Sequence, residues 1–151
     1  MSAVDYTGIQ NALETALTED VRTNAARIYV EEEPQFGLMD AERVVAVFLE
    51  GRSAPAREQG LNMGKRTRFH LRASAWVFAF SLESFRKSCE ARNDLLGAVE
   101  QVLMDNRTLG DKIATLWLEG GAMFSARAGG NTGPFVAGAE VSFTMEVQAI
   151  N

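Results

Sequence analysis

The residues of this sequence that could do chemistry are one histidine, one cysteine and a few clusters of charge. The histidine is His70 and the cysteine is Cys89. One histidine cannot supply most metal-ligand sets, and one cysteine excludes an internal disulfide. The sequence contains no phosphate-binding, nucleophile-elbow, zincin or paired-cysteine motif. It therefore predicts a protein that is not an enzyme, with no cofactor and no metal.

Basic residues accumulate in the segment 51–66, GRSAPAREQGLNMGKR, and in the sequence that follows it. The whole chain has 20 acidic and 15 basic residues and a formal charge of −5, which disfavours nucleic-acid binding. Pairing of the basic set with an acidic patch on a neighbouring protein is the better interpretation. The candidate interface residues of this set, with the adjacent tryptophan, are Arg57, Lys65, Arg66, Arg68, His70, Arg72 and Trp76.

Three consecutive acids, Glu31, Glu32 and Glu33, form the opposing cluster. The run is either a solvated strand end or a surface that meets a basic partner. His70 has no nucleophile or carboxylate that the sequence alone can place beside it, so we interpret it as a surface or interface residue. Cys89 falls on an apolar helix stripe, which predicts a small buried hydrophobic side chain.

Hydrophobic periodicity predicts the elements that must position these residues. Helices are predicted over 5–18, capped by Ser2 or Asp5, and over 82–104, capped by Ser81. Gly97, inside the second helix, suggests close packing on a sheet. Glu119-Gly120-Gly121 predicts a hairpin that joins the fourth strand to the fifth. Strands are predicted over 27–31, 44–49, 67–80, 112–118, 122–128 and 135–149.

The order α, β, β, long loop, β, α and three further β lacks the alternation of a doubly wound parallel sheet. It predicts an α+β fold: a mainly antiparallel or mixed sheet, two helices packed on one face, and a long β-β loop at 51–66. A length of 151 residues indicates one domain, 1–151. No apolar run approaches the ~18 residues of a membrane span, and residues 1–17 lack the features of a secretory signal.

The predicted strand 67–80 has apolar residues on both faces over part of its length. One face is apolar throughout, whereas the other begins polar at Arg68 and becomes aromatic at Trp76, Phe78 and Phe80. We expect the aromatic half to be covered by a second layer or by another subunit. Because two helices cannot easily cover both faces, this pattern favours oligomerisation.

This organisation resembles the tail terminator, or tail-completion, proteins of long-tailed bacteriophages, including the lambda-like type. The likeness runs from the first helix through the strands near Tyr29 and Val47, the long loop, the strand 67–80 and the helix 82–103. It continues through the leucine–glycine turn in DNRTLGD at 105–111 to the long alternating final strand. It covers nearly the whole chain and includes no catalytic motif.

The resemblance implies a structural virion protein that forms a hexameric ring, caps the tail tube, stops its polymerisation and offers a head–neck joining surface. The implied partners are further copies of the chain, the tail tube protein and a neck or head-completion protein. DNA would pass through the lumen without specific binding, and no membrane is involved. The implied location is the virion tail or neck, and the host cytoplasm during assembly.

The family has no motif residues to transfer, so we assign surfaces from physical arguments alone. The loop 51–66 and the residues Arg66, Arg68, His70 and Arg72 are predicted to contact the tube or an adjacent subunit. Glu31, Glu32 and Glu33 are predicted to supply the opposing charge.

Two alternatives stay open. One is another neck or tube component, either a head-completion stopper or a tail tube subunit, because related folds recur in these proteins. The other, which ranks behind it, is a small-ligand-binding α+β domain. That alternative predicts a concave pocket with convergent polar groups.

Overall fold

Eight elements follow one another in the order predicted from the sequence. The computed structural model describes residues 4–53, 66–127 and 133–150. The elements are α1 (Tyr6–Glu19), β1 (Arg27–Val30), β2 (Arg43–Ser53), β3 (Arg66–Ser81), α2 (Phe85–Asp105), β4 (Thr115–Gly120), β5 (Met123–Arg127) and β6 (Phe135–Ile150). Two helices pack on a six-stranded mixed sheet, which confirms the predicted α+β fold.

The two sixteen-residue strands β3 and β6 form the centre of the sheet. They pair antiparallel over their whole length, from Arg66 opposite Ile150 to Ser81 opposite Phe135. The strand order is β1-β2-β3-β6-β4, and β5 also pairs with β6. The β1–β2 pair is parallel and the other pairs are antiparallel. The positions of the other strands are therefore fixed relative to this pair, that of β1 through β2 and those of the rest directly.

The hydrophobic core lies between the two helices and one face of this sheet. Successive side chains of a strand point to opposite faces, so every second residue of β3 and β6 lies under the helices. Full burial of one large aliphatic side chain contributes about 1.5–3 kcal/mol. The buried set includes Ile9, Leu13 and Leu17 of α1, Leu95, Val99 and Leu103 of α2, Leu71, Ala75 and Val77 of β3, and Val141, Phe143 and Met145 of β6.

Both helices begin at a side-chain cap. Asp5 accepts the backbone N–H of Gly8 at 2.9 Å, so the prediction of Asp5 as a cap is confirmed. The predicted cap of α2, Ser81, is wrong, because Ser81 is still paired with Phe135 at the end of β3. Ser84 caps α2 instead, and its hydroxyl accepts the N–H of Lys87 at 3.1 Å.

The middle of α2 also differs from the prediction. Gly97 is exposed and no atom lies within 4 Å of the position of a β-carbon there, so it does not serve close packing on the sheet. Cys89 is half-buried, with Ser88 beside it fully buried on the packed side of the helix. The helix thus packs through a stripe rotated away from Cys89.

One arginine ties the ends of the two helices together. The guanidinium of Arg22 lies 2.8 Å from Asp20, just after α1, and 2.9 Å from Asp105, the last residue of α2. Its side-chain hydrogen bond to Asp20 lowers the pKa of that carboxyl to about 2. Carboxylates at helix C-termini oppose the helix dipole. Arg22 offsets this unfavourable charge at both helices.

The prediction of a hairpin at Glu119-Gly120-Gly121 is wrong. β4 and β5 do not pair with each other; both pair with β6, one after the other along its length. Gly120 has a φ of 99°, and a β-carbon at Gly121 would overlap the backbone oxygen of Glu140. The two glycines therefore make an irregularity within a nearly continuous strand. The chain reverses direction after β5, between Arg127 and Phe135, which are cross-strand partners.

The connection between β1 and β2 crosses the sheet on the side opposite the helices. Because β1 and β2 are parallel neighbours, the chain between them must return to the starting end of the sheet. The residues that do so, 31–42, are called the crossover segment below. Its Phe36 ring contacts Phe78 and Phe80, which lie on the face away from the helices.

Candidate assembly surface

The sheet face turned away from the helices, here called the open face, presents most of the β3 residues predicted to form an interface. Since Leu71 and Val77 of β3 lie in the core, the even-numbered residues of that strand point to the open face. Residues 68–74 form its polar half and residues 76–80 its aromatic half. The sheet thus brings together the described members of the predicted set on β3.

Arg68, His70 and Arg72 form a basic strip along the polar half. Glu146 stands opposite His70 in the register, 3.4 Å from Arg68 Nη1 and 3.9 Å from His70 Nε2. The His70 ring meets the ring of Trp117 edge-on at 5.4 Å between centroids. Arg72 is exposed and forms no ion pair within the described ranges. Two further carboxylates border the strip, Glu50 at Ser74 and Glu119 at Thr144, so its positive charge is not in excess over the acids around it.

Hydroxyl groups fill the centre of the open face, and each buried one donates to a carboxylate. Ser74 donates to Glu50, and Trp76 Nε1 donates to the Ser74 hydroxyl at 3.2 Å. Thr144 donates in the same way to Glu119 on the other side of the central strands. Trp76 is therefore held by a polar contact as well as by its aromatic neighbours.

Two aromatic side chains from elsewhere in the chain cover the aromatic half. Phe36 of the crossover segment lies 5.0 Å from Phe78, and Phe124 of β5 lies 5.8 Å from Phe78 on its other side. Gly138 makes room for Phe124, because a β-carbon there would overlap its ring. The chain thus supplies a second layer of its own over this half. The sequence argument from an uncovered face no longer favours oligomerisation by itself.

A buried carboxylate holds the crossover segment in place. Glu42 accepts the N–H groups of Gly37 at 2.7 Å and Met39 at 3.1 Å, and it pairs with Arg27. Asp40 accepts the N–H of Leu82 at 2.7 Å, which fixes the segment to the end of β3. Leu38 and Ala41 adopt positive φ angles of 56° and 59°. These contacts hold an irregular backbone that carries Phe36 onto the sheet.

The three consecutive acids lie where the chain leaves β1. Glu31 has a φ of 58°, and its carboxylate accepts the N–H of Leu49 at 2.6 Å. This side-chain hydrogen bond extends the contact between β1 and β2 beyond the end of β1. Glu32 and Glu33 are exposed and have no ion-pair partner in the parts of the chain that are described. The negative charge available to a partner therefore comes from Glu32 and Glu33.

The remaining predicted residues belong to the loop 51–66. Arg57 and Lys65 lie outside the described residues. Arg66 is the first residue of β3, and its backbone stands opposite Ile150. The described end of this loop is thus the end of the β2–β3 hairpin that carries the basic strip.

The sequence argument missed the partners that reach the open face from distant parts of the chain. Glu146 and Trp117 came from strands whose pairing with β3 or β6 was unknown, so their nearness to His70 could not be inferred. The apolar residues between the acids of the crossover segment, Phe36 among them, were the available signal for a covering layer.

An open groove of about 620 Å³ lies between α1 and the turn after α2, with Asn11, Thr15, Asn106 and Lys112 among its lining residues. No cluster of three or more metal-ligating side chains occurs in residues 4–53, 66–127 and 133–150. No helix in the same ranges is both long and apolar enough to cross a membrane.

No protein-family model matches the sequence. No curated protein matches it either.

Proposed function

We propose that this protein is a ring-forming virion assembly protein that terminates a phage tail. The observation that carries the proposal is that exposed charges of opposite sign, without ion-pair partners in the described ranges, lie on different strands of the sheet. Arg72 lies on the central strand β3, whereas Glu32 and Glu33 follow the edge strand β1.

The separation of these charges suits contact between copies. Because β2 lies between β1 and β3, the two groups are about 10 Å apart across the sheet. Two different patches on one chain favour a head-to-tail contact, and such contacts generate rings when the rotation closes. Attraction between opposite charges would also orient the copies as they meet.

The role in a tail follows from the resemblance of the element order to tail terminators. In this role, one face of the ring binds the end of the tail tube and the other receives the neck. Six copies form the ring, and DNA passes through its lumen without being held. The functional parts of such a subunit are its surfaces, so the proposal requires no catalytic group.

The test has two parts. Native mass spectrometry and particle imaging of the purified chain should show a closed ring of six 16.5 kDa subunits. Particles assembled without the protein should have overlong tails or tails that do not join heads. Normal tail lengths in its absence would contradict the proposal.

A tail tube subunit and a head-completion stopper are the neighbouring alternatives. A chain that polymerises alone into long tubes would support the tube subunit. A ring whose removal leaves tail length normal but prevents head joining would support the stopper.

The groove beside α1 is the observation that favours a small-ligand-binding domain. It is concave and partly polar, as that function requires. A solution mass near 16.5 kDa, together with a melting shift on ligand addition, would favour this alternative over the ring.

A further inference from the structure

The strand β5 is a sheet edge without the features that usually keep an edge strand from pairing. It pairs with β6 on one side, and no strand of the described ranges lies along its other side. All five of its residues are exposed, with Met123 at 61% and Phe124 at 37%. Its sequence, MFSAR, has no proline, and its one charge is the terminal Arg127. Unprotected edges of this kind are templates for a further strand.

The opposite edge of the sheet is β1, and it is open in the same way. β1 pairs with β2, and within residues 4–53, 66–127 and 133–150 no second strand pairs with it. β1 is parallel to β2, and each later step across the sheet to β5 is antiparallel, so β1 and β5 run in opposite directions. When two copies stand side by side in the same orientation, β5 of one and β1 of the other are therefore antiparallel neighbours.

The two edges stand at the same level along the strand direction. One row of directly paired residues crosses the sheet from edge to edge: Ile28, Val45, Val77, Ala139 and Met123. A neighbouring copy at the same height thus places its Ile28 beside Met123. Because no shift along the strands is needed between copies, repeated pairing about an axis parallel to the strands gives a ring and not an open helix.

The backbone groups at the two edges also match in position. Glu140 donates its N–H to the carbonyl of Ala122, so Ala122 faces β6, and the next residue, Met123, directs its N–H and C=O away from the sheet. Glu31 donates in the same way to a carbonyl of β2, so the N–H and C=O of Ile28, three residues earlier, point outward. Opposite residues whose backbone groups face each other form the hydrogen-bonded pair of an antiparallel ladder. Ile28 and Met123 meet this condition.

The side chains along these edges are complementary. On the helix side of the sheet, Met123 is mostly exposed and Ile28 is half-buried, so each can cover apolar surface of the other. On the open face, the adjacent pair in this register is Phe124 with Arg27. The Arg27 side chain is 48% exposed, and a guanidinium beside an aromatic ring is a favourable contact.

We infer that β5 of one copy pairs with β1 of the next, with Met123 opposite Ile28, so that the sheets of neighbouring subunits join edge to edge. The inference rests on the proposed ring and names its contact. Pairing of β5 with β5 of a second copy would leave β1 open and would stop at a dimer.

Cross-linking tests the register of this contact. Within one chain, Ile28 and Met123 are four strand spacings apart, about 19 Å, which is too far for a disulfide. Between copies their Cα atoms would be about 5.5 Å apart, which a disulfide can span. In a Cys89→Ala background, Ile28→Cys with Met123→Cys should give a ladder of covalent oligomers on oxidation. The matched control, Ile28→Cys with Met104→Cys at an exposed methionine of α2, should give none.

Proline substitution tests the backbone pairing. Met123 is the first residue of β5 and its N–H points away from β6, so Met123→Pro should leave the fold intact, as circular dichroism can verify. The concentration at which half of the rings dissociate should rise about tenfold or more relative to Met123→Thr, which retains the N–H on a good strand former.

The outcomes separate the two proposals. Wild-type rings that give no ladder in the cysteine variant, or that dissociate equally in the proline and threonine variants, overturn the inference and leave the proposed function standing. A Ser125→Cys variant that cross-links only into dimers would indicate β5–β5 pairing and overturns the inference as well. A wild-type chain that stays a 16.5 kDa monomer overturns both proposals. A ladder together with weakened rings in the proline variant supports the contact.

Discussion

Glu42 shows how one side chain can shape a surface at a distance from itself. Its carboxylate is buried and takes two backbone N–H groups and a guanidinium, while the residues that it holds, such as Met39, are exposed. The position of this exposed part of the crossover segment therefore depends on a polar contact behind it.

We predict that Glu42→Ala destabilises the protein by about 2 kcal/mol, because two N–H groups and Arg27 lose their acceptor. Urea unfolding would measure the loss, and hydrogen exchange at Gly37 and Met39 should accelerate. Glu32→Ala, a change at an exposed acid of the same segment, should stay within about 0.5 kcal/mol of the wild type. Equal effects of the two variants would contradict this account of Glu42.

At the residue scale, the sequence predicted best those residues whose contacts are close in the chain. The N-cap Asp5 is a local signal and was recognisable, since it stands directly before the apolar stripe that it caps. Glu146 is close to His70 only through the β3–β6 register, which no local pattern determines. Whether the predicted interface residues contact a partner stays a prediction.

At the element scale, the structural role of a glycine depends on the elements packed around it. Gly120 and Gly121 read as a turn in the sequence, yet the strand continues past them along β6. Gly97 reads as a close-packing position, yet it faces open space. The predicted order of the elements was confirmed because periodicity is a local property. The predicted partner of β5 was wrong because strand pairing depends on residues far apart in the sequence.

The two glycine positions give opposite predictions for the same substitution. Gly121→Ala should destabilise by about 1–3 kcal/mol, because its methyl group would meet the backbone of Glu140. Gly97→Ala should stabilise by about 1 kcal/mol, because alanine is the better helix former and the space is open. Chemical denaturation of both variants checks this. Destabilisation by Gly97→Ala would contradict the observed packing of α2.

The link between the helix ends predicts a pH dependence. The pKa of Asp20 is lowered from 3.8 to about 2, so its pairing with Arg22 stabilises the fold above pH 3.8 and is lost as the pH falls through 2. Arg22→Gln should therefore lower the melting temperature at pH 6, and the difference from the wild type should shrink between pH 4 and 2. Arg107→Gln, at an exposed arginine after α2, is the control. A difference that is constant over this range would refute the assignment.

At the scale of the whole molecule, the charge of the chain bears on what a ring could hold. A six-membered ring would have a formal charge of −30, six times the −5 of each chain. Such a ring would repel phosphates, and its basic residues would have to face protein.

We predict that the assembled ring does not retain duplex DNA at about 150 mM salt. Salt at that ionic strength weakens the attraction of the basic residues for phosphates, so this attraction cannot offset the net negative charge of the ring. A gel-shift titration checks this, with a Glu32→Lys and Glu33→Lys variant as a less acidic comparison. Micromolar affinity in the wild-type ring, or Arg57, Lys65 and Arg66 lining its lumen, would contradict the prediction.

The central strand pair also has a consequence for the route by which the chain folds. β3 and β6 lie side by side throughout, yet paired residues are roughly fifty to eighty positions apart in sequence. Contacts of such high sequence separation close large loops before they gain stability, so folding is slow. β6 follows every other strand along the chain, and until it pairs, β3 has an unpaired edge and β4 and β5 have no partner at all. Folding should therefore be limited by the arrival of β6, and the exposed edges of the partly folded chain are its main risk of aggregation.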